Sequence, residues 1–215
     1  MLNFKSKLSN DNNIIHETAI IEKSVKLGEN NYIGAYVVIT GDVEIGNNNR
    51  FESHISIGAK AQHRNSNKSF GVKIGSNNNF REFLTIHSGI QNVTVIGNDN
   101  YFMNYCHIPH DAILGNHITI ANSVQIGGHT IINDYCNLGL NSTVHQFSKL
   151  GEGSMLGMGC VVPKNRAIEP YTIYVGNPCV KLNDNHYLIK KNNIELFDLL
   201  ELRKRYCADL IDINI

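Results

Sequence analysis

Residues 96–132 read IGNDNYFMNYCHIPHDAILGNHITIANSVQIGGHTII, with an aliphatic residue or phenylalanine at every sixth place: Ile96, Phe102, Ile108, Leu114, Ile120, Ile126 and Ile132. A helix repeats its apolar face every 3.6 residues and a half-buried strand every 2, so neither alone accounts for a period of six. Such self-similarity marks a stack of identical structural units. Outward from this stretch the ladder continues without a slip through Leu138, Val144, Leu150, Leu156 and Val162 to Ile168. Backward it skips four extra residues to Ile86, Phe80 and Ile74, breaks once, and resumes from Ile57 through Phe51, Ile45, Ile39, Ile33, Leu27 and Ile21 to Ile15. That makes twenty-four hexads.

Glycine often follows the ladder residue, and small or β-branched residues favour the fifth place of each hexad. Cys106, Cys136 and Cys160 all fall at that fifth place, which assigns them to core filling. Asn-rich segments such as 46–49 and 97–100 suit tight corners, because asparagine tolerates left-handed backbone. Two interruptions stand out: the polar, cationic AKAQHRNSNKSFG at 59–71, and residues 88–95. Excursions from a stack tend to lie on its working face. After Gly176-Asn177-Pro178 the hexads stop, and 193–205 read as a capped helix, acidic early and basic late. The expected division is therefore a repeat domain over 1–178, carrying the loop 59–71, and a C-terminal helical extension over 179–215.

The 19 Lys and Arg residues balance 19 Asp and Glu, which gives no footprint for nucleic acid. The opening MLNFKSKLSNDNN lacks the apolar run of a signal peptide, and nowhere do eighteen consecutive apolar residues occur; the expectation is a cytoplasmic protein without stable membrane insertion. Five scattered cysteines with no CxxC pair argue against a disulfide framework or structural zinc.

The period of six is that of the hexapeptide repeat, and residues 14–178 resemble the left-handed parallel β-helix acyltransferases. The resemblance implies an all-β fold with three hexads to each triangular coil, hence about eight coils, followed by a short C-terminal α-helical segment. One coil is then eighteen residues, which stacks Gly128 over His110, sets His129 beside it and places Gln146 one coil further. His107, His110, His117, His129 and His145 all fall at hexad places that face away from the core. Gamma-class carbonic anhydrases share the fold and hold zinc with two histidines five apart and a third about two coils earlier. That spacing is missing here, so no metal is expected.

The series YCHIPHDAILGN, GGH and VHQF is more specific than the repeat. It is similar to the HIxHD, GH and VHQF series of the UDP-N-acetylglucosamine O-acyltransferases of lipid A biosynthesis. The resemblance makes His110 a general base, Asp111 the group that orients it, and the Gly128 N–H a donor to the oxyanion. It assigns substrate binding to Gln62, His63, Arg64, His107, His129, His145 and Gln146, with Lys60, Arg64, Lys68 and Arg166 available to a diphosphate. It further implies an acyl-chain pocket at Met155 and Met158, the latter forty-eight residues beyond His110, where a bulky side chain restricts the donor to short chains. A homotrimer with clefts between subunits, a nucleotide-sugar acceptor, and an acyl thioester of coenzyme A or acyl carrier protein as co-substrate follow, with no bound cofactor. His63 stands where the family has an aspartate, and the exit VGNPCVKL resembles coenzyme A-dependent sugar acyltransferases. The expected function is thus transfer of a short acyl or 3-hydroxyacyl group to the hydroxyl or amino group of a nucleotide-linked sugar for lipopolysaccharide. The lipid A enzyme itself is the nearest alternative, and a zinc enzyme like the carbonic anhydrases or a non-catalytic solenoid lies further off.

Overall fold

The computed structural model describes residues 6–8, 11–64 and 68–211; the loop residue Asn65 and the first five residues of the chain lie outside them. Each hexad forms one short strand and one turn, and strands eighteen residues apart pair in parallel, as Tyr101 with Thr119 and Asn137 with Met155. The pairing offset rises to twenty-nine from Arg50 to Asn79, and to twenty-two from Asn79 to Tyr101. Those two jumps mark the interruptions at 59–71 and 88–95. Each coil passes through three faces, so the whole is a left-handed parallel β-helix. The first face holds nine parallel strands from Ile14–His16 to Thr172–Val175, and the second and third hold eight each.

The ladder residues are the core. Ile33, Phe51, Ile57, Phe80, Ile108, Leu138 and Leu156 are all fully buried, and Phe51, Phe80 and Phe102 stack at 4.8 Å between centroids. No coil covers its own apolar ladder from above and below, so burial is bought only by stacking neighbours. Cys106, Cys136 and Cys160 are buried as expected, and burial pushes the Cys136 and Cys160 thiols up to about 12.

At the corner between the third and first faces, Asn13, Asn31, Asn49, Asn78 and Asn100 are buried one above another. Each Oδ1 accepts the backbone N–H at the same place in the next coil, as in Asn49 N to Asn31 Oδ1 at 2.8 Å and Asn100 N to Asn78 Oδ1 at 3.0 Å, with Ile118 N closing the series on Asn100 Oδ1 at 2.7 Å. Each Nδ2 donates to a glycine carbonyl one corner on, Asn78 to Gly97 at 2.9 Å among them. These amides satisfy turn groups that the helix interior hides from water. Their neighbours Asn48, Asn77 and Asp99 take the left-handed backbone, with φ of 58°, 60° and 57°.

The C-terminal extension differs from the single helix expected at 193–205. Val180–Asp184 first folds back antiparallel on Thr172–Val175, and two helices follow, α1 (His186–Lys191) and α2 (Leu196–Ile211). The reason is local: Asn185 accepts the Leu188 N–H as a helix cap, and its own Nδ2 donates to the Gly153 carbonyl, which anchors a turn that periodicity does not signal. Arg203 of α2 donates to the carbonyls of Pro170 and Tyr171 and pairs with Asp184 at 2.8 Å, closing the last coil. Among the described residues no helix is long and apolar enough to cross a membrane.

Candidate active site

The strand His107–Ile108 ends the second face, and the corner that follows carries Pro109, His110 and Asp111. Asp111 adopts φ +59°, which turns its side chain under the corner, where it is 1% exposed. His110 Nδ1 lies 2.7 Å from Asp111 Oδ2. The other side of the carboxylate is held by backbone: Oδ1 accepts the N–H of Asn92 at 2.6 Å and of Gln91 at 2.9 Å, and the Ile90 N–H reaches both oxygens. Burial alone pushes the Asp111 carboxyl up; the Asn92 amide, the His110 ring and the Gln91 and Ile90 amides outweigh it, so the carboxyl titrates below its ordinary value.

One coil on, Gly128 lies against the His110 ring. A Cβ there would sit 2.5 Å from His110 Cε1 and 2.7 Å from Nε2, so a side chain at 128 and the imidazole exclude each other. The Gly128 N–H makes no hydrogen bond among the described residues. His129 meets His110 edge to face at 5.2 Å and stacks on Phe147 at 4.7 Å. From the first interruption, His63 meets His110 edge to face at 5.9 Å. Burial holds the His129 imidazole below its ordinary value against the pull of Asp111.

Below the corner, His107 Nδ1 hydrogen-bonds Thr85 Oγ1 at 2.8 Å, and its ring meets His87 at 4.8 Å. Burial lowers His107 to about 4 and also lowers His87, so both are neutral near neutrality. Sequence reasoning missed His87 and the amides of Ile90, Gln91 and Asn92. The signal for His87 was present: it follows Ile86 at the second hexad place, the column that continues through Pro109 beside the corner. Backbone donors leave no such trace.

The structure thus gathers His110, Asp111, Gly128, His129, His107 and His63 at one corner, with His145 and Gln146 a coil above and the exposed Gln62 and Arg64 in the adjoining loop. It does not gather the two methionines with them or with each other. Met155 projects from the first face into a hollow of about 650 Å³ shared with His117, Tyr135 and α1. Met158 is 76% exposed at the corner between the first and second faces, the far edge of the second face from His110. His110, Asp111 and His129 also bring three ligand atoms within 4.8 Å of one another. The Asp111 oxygens are already engaged by three amides and an imidazole, however, an arrangement that orients a base rather than awaits a cation.

Comparison with known proteins follows the same lines. The family "Bacterial transferase hexapeptide (six repeats)" matches residues 24–59 and 94–128. LpxA from Acinetobacter baumannii superimposes with a TM-score of 0.77 at 31% identity, over 89% of this chain and 82% of that one. The chain belongs to the LpxA-like hexapeptide-repeat acyltransferase family. A second member, UDP-N-acetylglucosamine acyltransferase from Campylobacter jejuni, gives a TM-score of 0.73 at 30% identity over 88% of this chain and 82% of its own. Among curated sequences, the acyl-[acyl-carrier-protein]–UDP-N-acetylglucosamine O-acyltransferase of Cupriavidus taiwanensis is 49% identical over 47 residues. That aligned stretch spans only 20% of this chain and 18% of the relative's length.

Proposed function

We propose that the chain is an O-acyltransferase of lipid A biosynthesis that moves an acyl group from acyl carrier protein to a hydroxyl of UDP-N-acetylglucosamine. The observation that carries the reading is the His110–Asp111 pair with Gly128 packed against the imidazole one coil on. The relatives named for this reaction support this acceptor over the altered one that the loop at 62–64 suggested.

With Asp111 ionised and accepting Nδ1–H, His110 presents the Nε2 lone pair to the cleft. The acceptor hydroxyl attacks the thioester carbonyl as Nε2 takes its proton, and the C–O bond forms. The carbonyl oxygen gains negative charge, for which the Gly128 N–H is a fixed donor. Collapse breaks the C–S bond, and the imidazolium returns its proton to the leaving thiolate. Neutral His107 and His129 crowd the base without adding positive charge. Arg64 and Lys60 suit the diphosphate. His63 and His145 line one side only of an open corner, so a homotrimer is proposed to complete the cleft, and sedimentation at three times the chain mass tests it.

A second reading rests on His63 in the acceptor loop: an amino sugar acylated on nitrogen, with coenzyme A as the thiol. Competition between UDP-N-acetylglucosamine and its 3-amino analogue, each offered acyl carrier protein and coenzyme A thioesters, separates the two. Ester formation from carrier protein supports the first reading; amide formation alone overturns it.

A further inference from the structure

The two interruptions of the hexad ladder meet beneath Asp111. The turn Gly89–Asn92 aims three successive amides at one carboxylate, a backbone nest built for an anion and filled by this side chain. Gly89 is required for the turn to close, since a Cβ there would lie 1.6 Å from the Asn92 carbonyl oxygen and 3.3 Å from Asp111 Oδ1. Thr94, wholly buried, accepts the Asp111 N–H at 3.0 Å and donates to the Pro109 carbonyl, so it fixes the backbone on both sides of His110. The acceptor loop is sewn to this turn: Ser88 Oγ accepts the Gly71 N–H at 2.8 Å and bonds Ser69 Oγ at 2.6 Å, and the Phe70 N–H donates to the Gly89 carbonyl.

We propose that the Gly89–Asn92 turn and Thr94 form a positioning cradle that fixes Asp111 and, through it, the tautomer of His110, with Ser88 setting the acceptor loop in the same frame; its consequence for rate rests on the acyltransferase reading. The logic is geometric. Two amides claim Oδ1, the Ile90 amide straddles both oxygens, and Oδ2 is left turned to the imidazole. A carboxylate so held accepts Nδ1–H and keeps Nε2 unprotonated toward the cleft. A carboxylate free to rotate holds neither the ring nor its tautomer. Thr94 touches neither the imidazole nor the cleft and acts through the backbone that carries Asp111, because its hydroxyl is spent on the Asp111 and Pro109 backbone.

The test uses the full chain labelled with ¹⁵N-histidine, with the His110 signals identified by their loss in His110→Gln. The wild type is expected in the Nδ1–H tautomer. Thr94→Val, which keeps the shape and removes the hydroxyl, is expected to give mixed tautomers and to lower kcat roughly tenfold while the acceptor KM moves less than about twofold. Thr94→Ser restores both. In an Asp111→Asn background Thr94→Val adds no further loss. A folded Thr94→Val that keeps the pure Nδ1–H tautomer, or a loss undiminished in the Asp111→Asn background, overturns the proposal. Should Thr94→Val fail to fold, Gly89→Ala opens the turn by setting a Cβ against the Asn92 carbonyl and must give the same tautomer mixture, or the proposal falls. The tautomer is read without substrate, so a protein that turned over no thioester would remove the acyltransferase reading and leave this test decisive.

Discussion

His107 shows how burial tunes the corner. In the unfolded chain an imidazole takes up its proton near pH ~6.5, whereas in the folded chain His107 does so only near about 4. Between those values the unfolded state binds the extra proton, so stability is lost as pH falls through that window and is flat above it. His87 and His129, also lowered by burial, add to the slope with the same sign. Urea midpoints taken from pH 7 downward should therefore decline, and more shallowly in His107→Gln; an unchanged slope would remove His107 as a cause. Asp111 acts with the same sign in a more acidic window, since its lowered carboxyl contributes stability that is present above its ordinary value and is lost as pH falls through its folded value. Asp111→Asn, which keeps the size but loses the charge, should slow turnover less than loss of His110 does, as measured by initial rates under saturating substrates.

The hexads are what made the elements legible. From Ile15 to Ile168 every ladder residue could be placed on a strand because, the two interruptions aside, each coil is three hexads, and the stacking of Gly128 on His110 follows from the same count. Elements held by side chain to backbone contacts were not legible: the turn after Val180–Asp184 rests on the Asn185 side chain, and the asparagine ladder reads in sequence only as polar corners. That ladder carries a prediction. Asn78 donates its amide to Asn49 in one adjoining coil and to the Gly97 carbonyl in the other, and accepts the Asn100 N–H from the latter, so Asn78→Ala strands buried groups on each side and should cost about 1–3 kcal/mol per unsatisfied group. Thermal unfolding measures it, and an unchanged midpoint would show that water replaces the amide. The second face carries another. Met158 stands at its far edge, three strand spacings or ~14 Å up the axis from His110, with the exposed Leu140 beside it. An acyl chain crossing that face diagonally would meet both. Met158→Gly is expected to shift preference toward longer thioesters, each added methylene gaining ~0.8 kcal/mol of burial; an unaltered chain-length profile would place the limit elsewhere.

At the scale of the molecule, a rigid prism presents its chemistry on one corner, closed at its C-terminal end by Arg203 and fed by two loops sewn together at Ser88. The repeat supplies position and the interruptions supply reactivity. The hexads resemble one another from coil to coil, yet among the described residues only one corner sets an imidazole between a buried carboxylate and a glycine of the next coil. The central claim is that this corner transfers acyl groups with His110 as base. The most direct measurement is the mass of the product formed from UDP-N-acetylglucosamine and a 3-hydroxyacyl carrier protein by the wild type and by His110→Ala. The account predicts a mono-acylated nucleotide sugar from the wild type and a rate ~10² to 10⁴-fold lower from a folded His110→Ala. Turnover by that variant at more than about half the wild-type rate, which a lost general base does not permit, would contradict it.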